Sequence, residues 1–330
     1  MSHLRTFRST GTVATASGAA VAALKTRAAA WEVPLVEDDD GLSMMVWGCE
    51  LRLTRQTDSL RIDLLAPEKR LVGTLQDTAT DVFAEVGLAV QWDHVNVGAL
   101  APGLSLLRVE HVVRRTPNFI RVRLRGTDAA RFGTGSLHFR LLLPPQGRSP
   151  QWPRVSETGR TVWPEGEDAL HRPVYTIADH GADWIDFDIF RHADSPTCTW
   201  AEADPDGQLV GVLGPGGGWC PDARRLWLFG DETALPAIVR MLQLTEADVR
   251  AVLRCAPEDL GSLADHPAVT RCDDLLAALQ EVRDLDDGFV WFAASTAEAR
   301  LARSDLLERG LPKGRFSAIG YWSGNDCAAG

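Results

Sequence analysis

Between Leu104 and Gly218 apolar and polar residues alternate in six short runs, LSLLRVEHVV, FIRVRLRG, LHFRLLLPP, PVYTIADH, WIDFDIFRH and LVGVLGPGGG. A period of two over four to eight residues marks strands with one buried face, and turns rich in Gly, Pro and Asp separate these runs. The stretch therefore reads as a six-stranded antiparallel β-barrel, interrupted by a polar, proline-rich loop that runs to about residue 170. The period changes on either side. Ahead of it come a helix near 17–31, three short strands parted by DDDG and RQTDS, a helix from Glu68 to Val86, and the strand LAVQW. These make a small two-layer α+β domain that ends in the linker VNVGALAPG. Behind it lie a strand at 225–229, a helix at 234–244, a weaker strand near 250–255, a helix at 273–282, a strand at 288–293, a helix at 296–309 and a strand at 315–322. Such alternation argues an α/β domain with a parallel sheet covered by helices. The expected domains are 1–98, 104–224 and 225–330.

Composition narrows the classes of partner. The 330 residues are 45% hydrophobic and 24% charged, enough for two or three compact domains. The net charge of -11 is spread along the chain, which disfavours sequence-independent attraction to nucleic acid or to an anionic membrane. The alanine-rich stretch from Ala14 to Ala30 is broken by Lys25 and Arg27, so it reads as an amphipathic helix rather than as a secretory core or a membrane span. Six cysteines, at 49, 198, 220, 255, 272 and 327, show neither CxxC nor a Cys/His ligand spacing. Reduced thiols, a cytoplasmic location, a monomer and no protein metal ligands are the expectation.

A barrel followed by a nucleotide-type α/β domain is the order of flavin reductases, which directs attention to four stretches. In HRPVYTI, Tyr175 is suited to lie against a flavin ring, Thr176 to reach its N5 edge and Arg172 to pair with phosphate. The same residues also describe an ordinary strand with a half-buried tyrosine. RHADSPTCTWA, 191–201, offers backbone N–H groups and the short side chains of Ser195, Thr197, Cys198 and Thr199 to a pyrophosphate, or simply an N-cap at Ser195 ahead of Pro196. His192 alone reads more simply as structural. In LFGDETALPAIVRM, Gly230, Thr233 and Pro236 leave a helix N-terminus open to an anion without any GxGxxG, while Asp231 and Glu232 complement the helix dipole. In AIGYWSG, 318–324, Tyr321 and Trp322 are suited to cover a flavin or nicotinamide face, or to close the core.

Taken in order, TVWPEG (161–166), RPVYTI (172–177), His192 with SPTCTWA, LGPGG (213–217), GDETALPAI (230–238) and GYWSG (320–324) resemble the siderophore-interacting proteins. These are FAD-dependent ferric-siderophore reductases of the ferredoxin-reductase superfamily, and the resemblance spans about residues 104–330. Residues 8–95 look like a small domain of unknown function found alone or fused to such reductases. The resemblance implies that Tyr175, Thr176 and Ile177 line the isoalloxazine, with Arg172 near the FAD phosphates. It implies that His192 and the turn through Ser195, Thr197, Cys198, Thr199 and Trp200 hold the pyrophosphate and adenylate. Gly230, Asp231, Glu232, Thr233 and Pro236, with Tyr321 and Trp322, would frame the nicotinamide of NAD(P)H; Tyr175, Thr176 and Trp322 would stand at the electron-transfer centre. Arg140 stands where the family carries a basic residue of its siderophore pocket.

The pattern departs from the family at several points. Pro173 and Val174 separate Arg172 from Tyr175, Ala178 replaces a second arginine, Gly216 a basic residue, and Ala294-Ser295 a Gly-Glu pair. The basic pocket is thereby thinned, which implies a chelate that is less anionic or differently charged. The implied reaction carries electrons from NAD(P)H through FAD to siderophore-bound Fe(III) and releases Fe(II). Two alternatives stay open: a flavin-dependent reductase for another acceptor, such as free flavin or an oxygenase, and a non-enzymatic protein that binds chelate or flavin or answers to iron through its first domain. Arg254 and Arg271 are positional candidates for a ribose 2′-phosphate.

Overall fold

The computed structural model describes residues 5–14, 18–285 and 288–323; Gly324 of the last motif and Cys327 lie outside the described residues. Two compact units divide the chain, Met1–Ser105 with Pro144–Leu170, and Leu106–Leu143 with His171–Gly330. The loop that the sequence pattern leaves inside the barrel thus belongs to the first unit.

The first unit opens with β1 (Phe7–Val13), α1 (Gly18–Ala30), β2 (Leu35–Glu37), β3 (Gly41–Val46), β4 (Cys49–Arg55), β5 (Leu60–Ala66), α2 (Lys69–Ala84) and β6 (Val90–Trp92). The strands form one antiparallel sheet in the order β2-β3-β4-β5-β1-β6. Alternate residues of β4 and β5, among them Leu51, Leu53, Ile62 and Leu64, are buried with Leu24 of α1 and Leu75 and Phe83 of α2. Two features differ from the pattern reading. Residues 41–55, read as one strand, form a hairpin that reverses at Trp47 and Gly48, both left-handed at φ 52° and 73°. That is the geometry hairpin turns require, with tryptophan in a seat usually given to Asn or Gly. The strand β1, absent from the reading, passes Gly11 under Trp92, where a Cβ would lie 2.6 Å from the indole.

The second unit begins at Leu106, inside β7 (Leu104–Thr116), and continues through β8 (Phe119–Arg125) and β9 (Ser136–Leu142). The chain then contributes β10 (Arg154–Val155) and β11 (Thr161–Val162) to the first unit, where Asp77 of α2 accepts bonds from the Thr161 amide at 2.6 Å and hydroxyl at 2.9 Å. It returns through β12 (Val174–Thr176), β13 (Asp179–His180), β14 (Trp184–Phe190), α3 (Pro196–Glu202) and β15 (Leu209–Trp219). The sheet order is β12-β9-β15-β7-β8-β14-β13. Its two edge strands are one bent segment, 174–180, pairing with β9 at one end and β14 at the other. Inward residues such as Val122, Phe139, Phe187 and Val212 form the core. On the other face Arg121 and Arg123 cover Asp188 and Asp186 with bonds of 2.7–2.9 Å, so both acids are buried but paired.

The remainder is a five-stranded parallel sheet built from β16 (Arg225–Asp231), α4 (Leu235–Leu244), β17 (Asp248–Arg254), β18 (Val269–Arg271), α5 (Leu275–Glu281), β19 (Gly288–Ser295), α6 (Thr296–Glu308) and β20 (Phe316–Trp322). The order β18-β17-β16-β19-β20 means that winding reverses between β16 and β19. Leu235, Ile238 and Met241 of α4 pack into one apolar cluster; Leu279 of α5 and Leu306 of α6 pack into another. The near-continuous apolar runs of β16 and β19 follow from this burial on both faces.

Candidate functional site

Strand β9 sets the first part of the site. His138 lies opposite Thr176 of β12 on one side and Gly216 of β15 on the other. Its Nδ1 meets the Gly217 carbonyl, which can only accept, so Nδ1 carries the proton; Nε2 then accepts from the Tyr321 hydroxyl at 2.8 Å. Burial lowers the His138 pKa against the pull of that carbonyl, which agrees with a neutral ring. Two residues on along the same face, Arg140 donates from Nη1 to the Arg172 carbonyl at 2.7 Å. Arg140 and Arg172, both exposed, thus come to one place.

Tyr175 points to the opposite face from Thr176, its ring 4.9 Å from that of Phe187. Its hydroxyl bonds Thr197, whose Oγ1 also lies 3.0 Å from His171 Nε2. Burial raises the Tyr175 pKa and lowers that of His171. Thr176 is buried, and Ile177 is a full core residue whose N–H donates to the Leu137 carbonyl.

The run 195–200 divides by role. Ser195 is the N-cap of α3 and accepts from the Cys198 amide at 3.2 Å. Cys198 and Trp200 belong to the sheet core, and the Trp200 indole N–H donates to Gln208 at 2.6 Å. Trp200 is therefore structural. Thr197 acts on Tyr175 rather than on an open surface. His192, Ser195, Thr199 and Glu202 line an open depression.

The second half of the site is the C-terminal edge of the parallel sheet. Gly230 permits close approach of α4, since a Cβ there would stand 2.7 Å from Ala234 Cβ and 2.8 Å from Ile238 Cδ1. Asp231 is fully buried. Its Oδ1 accepts from the Thr233 amide at 2.9 Å and hydroxyl at 2.6 Å, and its Oδ2 accepts from the Trp322 indole at 2.7 Å. Pro236 is buried in the first turn of α4. Glu232 is half-buried, and burial, with Asp231 and Glu298 adding to it, raises its pKa above the usual carboxylate value. Arg254 at the end of β17 binds Glu298 of α6 through both oxygens, at 2.5 and 3.1 Å. These residues surround the point where the winding reverses, the crevice in which open parallel sheets bind ligands.

Tyr321 joins the two halves. Its hydroxyl bonds His138 of β9, its ring packs edge-on to Trp291 at 5.9 Å, and its neighbour Trp322 is held by Asp231. Burial raises the Tyr321 pKa, with the Asp231 charge adding to it.

Comparison with known proteins agrees with this architecture. Residues 108–219 match the siderophore-interacting FAD-binding domain, and residues 223–325 the siderophore-interacting protein domain. The chain belongs to the siderophore-interacting protein family. Uncharacterized proteins of Mycobacterium tuberculosis and Mycobacterium bovis are 36% identical over 100 residues, which are 28% of this chain and 35% of theirs, so only about a third of those relatives is spanned. The siderophore-interacting protein SipS of Aeromonas hydrophila is 23% identical with a TM-score of 0.55, covering 67% of this chain and 92% of that one. A siderophore utilization protein from T. fusca is 28% identical with a TM-score of 0.52, covering 69% and 95%. The fold is ferredoxin-reductase-like, an antiparallel sheet that matches a FAD-binding domain followed by a parallel sheet. Among the described residues no helix is long and apolar enough to cross a membrane.

Sequence reasoning passed over His138, Thr197's bond to Tyr175, and the Arg254–Glu298 pair. A signal for His138 existed: it stands two residues before Arg140 on the same strand face. For the others there was none, because their partners are 22 to 44 residues away in sequence.

Proposed function

We propose that this siderophore-interacting protein reduces Fe(III) held by a siderophore, using NAD(P)H as donor and FAD as carrier, and acts in the cytoplasm. The observation that carries the reading is the convergence at Tyr321–Trp322: one residue bonds the strand paired with Thr176, the other bonds the turn that opens α4.

The residues present fit FAD. Tyr175 offers an aromatic ring fixed by Thr197, Thr176 a hydroxyl on the opposite strand face, Arg140 and Arg172 exposed cations, and the depression at His192, Ser195 and Thr199 imidazole and hydroxyl groups. FAD, when bound, accepts an electron pair and passes electrons on singly. The protein's part is orientation. Neutral His138 holds Tyr321 without adding a charge, and Asp231 holds the Trp322 indole and the Thr233 turn. One NAD(P)H supplies two electrons, enough to turn two Fe(III) into two Fe(II). Hard oxygen donors hold Fe(III) far more tightly than Fe(II), so reduction frees the metal.

Anaerobic absorbance tests each step. The purified protein is expected to be yellow, to bleach with a nicotinamide donor, and to recover colour on addition of a ferric hydroxamate while an Fe(II) indicator develops. Colourless protein that releases no FAD on denaturation would sink the reductase reading; bleaching with recovery only by free flavin or an oxygenase would move the acceptor elsewhere.

A further inference from the structure

The donor crevice carries a charge arrangement that bears on which donor it takes. In dinucleotide folds of this winding, a residue at the end of the second strand, some 20 residues beyond the first turn, meets the adenosine ribose; an acid there suits a 2′-hydroxyl and an arginine nearby suits a 2′-phosphate. The corresponding strand end is Arg254, aligned with Asp231 in the β16–β17 register. By residue type alone it favours the phosphate.

Its guanidinium is already engaged. Nη1 and Nη2 bond Glu298 Oε1 and Oε2 at 2.5 and 3.1 Å, and Nη2 lies 3.8 Å from Asp231 Oδ2. Glu298 is itself pinned: Oε2 accepts from Ser295 Oγ at 2.7 Å, and its amide donates to that same Oγ at 3.2 Å. The Arg254 bond, with Ser295 helping, holds the Glu298 carboxyl below the usual range. Because β16 lies between β17 and β19, the pair reaches across the end of β16 at the reversal of winding. One arginine there faces the carboxyl groups of Asp231, Glu232 and Glu298. The other positional candidate, Arg271, commits its Nε to the Cys255 carbonyl at 3.0 Å and is followed closely by Asp273 and Asp274.

We infer that this crevice selects a dinucleotide with a free ribose 2′-hydroxyl, the NADH class, and that Glu298 is the specificity-determining residue, acting by holding Arg254. The inference rests on the donor crevice assigned under Proposed function. A 2′-phosphate brings nearly two negative charges into a region whose one engaged cation is already shared between two acids.

Binding can be read without turnover. Titration calorimetry on the full-length, FAD-loaded protein would compare ADP-ribose with 2′-phospho-ADP-ribose. ADP-ribose is expected to bind at least about tenfold more tightly, with the gap narrowing as salt rises. Glu298→Gln keeps the shape and the Ser295 contact but releases the charge of Arg254. It should tighten the 2′-phosphorylated ligand by about tenfold relative to ADP-ribose. Adding Arg254→Gln should cancel that gain. Ser295→Ala, which loosens Glu298, should move the ratio the same way and serves if the first variant does not fold. Equal or tighter binding of the 2′-phosphorylated ligand by the unmodified protein overturns the inference alone, as does a ratio unmoved in folded Glu298→Gln. Binding of neither ligand overturns the donor crevice itself and the inference with it.

Discussion

Asp231 is the residue whose loss should be felt most widely, because one buried carboxyl group ties the turn at Thr233 to Trp322, 91 positions away in sequence. In Asp231→Asn, the amide oxygen can still accept from Thr233, but an N–H₂ group then faces the Trp322 indole N–H. One hydrogen bond to a charged group is lost and a donor is left buried without a partner, which costs about 2–3 kcal/mol. Trp322→Phe removes the N–H and also shrinks the indole to a phenyl ring, costing about 1–3 kcal/mol. If the two groups act as a pair, the double variant should recover about 1–2 kcal/mol of the summed loss. Urea unfolding followed by circular dichroism measures this, provided the m-value is unchanged between variants. Amide exchange adds a local reading, since the Thr233 N–H should lose protection in Asp231→Ala. Effects that add within about 0.5 kcal/mol, with Thr233 still protected, would refute the clamp.

Three further outcomes follow from the geometry. Gly230→Ala should destabilise by about 1–3 kcal/mol through overpacking against Ala234 and Ile238, and Ile238→Val should relieve part of that in the same unfolding assay. The His138 pKa is lowered in the fold, so its contribution is fully present above its ordinary 6.5 and is lost as pH falls toward the folded value; His138→Gln should flatten that part of the stability profile, and an unchanged profile would contradict the neutral ring. The Glu232 pKa is raised, so its stabilising share is present below 4.5 and is lost as pH rises through the folded value. Glu232→Gln should therefore stabilise the protein at neutral pH by less than about 1 kcal/mol, with no gain in acid, in thermal melts across pH.

Period and punctuation alone were enough to outline the α+β opening, six alternating strand segments and the strand–helix alternation after Arg225, because each reflects burial along a single element. The motifs were likewise local: RPVYTI, SPTCT, GDETALP and GYW are contiguous residues whose order can be read along the chain. Ambiguity remained wherever two elements had to be compared. The alternation through residues 41–55 fits one strand as well as a hairpin, since Trp47–Gly48 reverses the chain through backbone angles rather than through a change of period. Likewise, Pro144–Leu170 has no long apolar face of its own, so nothing in its pattern announces that it packs with the first unit.

What the sequence by itself determined was the type and order of the elements, together with the family that its motifs mark. Only the tertiary structure decided which of the marked residues are committed to partners inside the protein. Trp200 and Ile177 sit inside a core, Thr197 serves Tyr175, and Asp231 holds Trp322 as well as the turn that opens α4. Most decisively, Arg254 is a free cation in the sequence and a shared one in the fold. The physical reason is that a side chain's available charge depends on partners brought beside it by sheet order, and Glu298 reaches Arg254 only because β16 lies between β17 and β19.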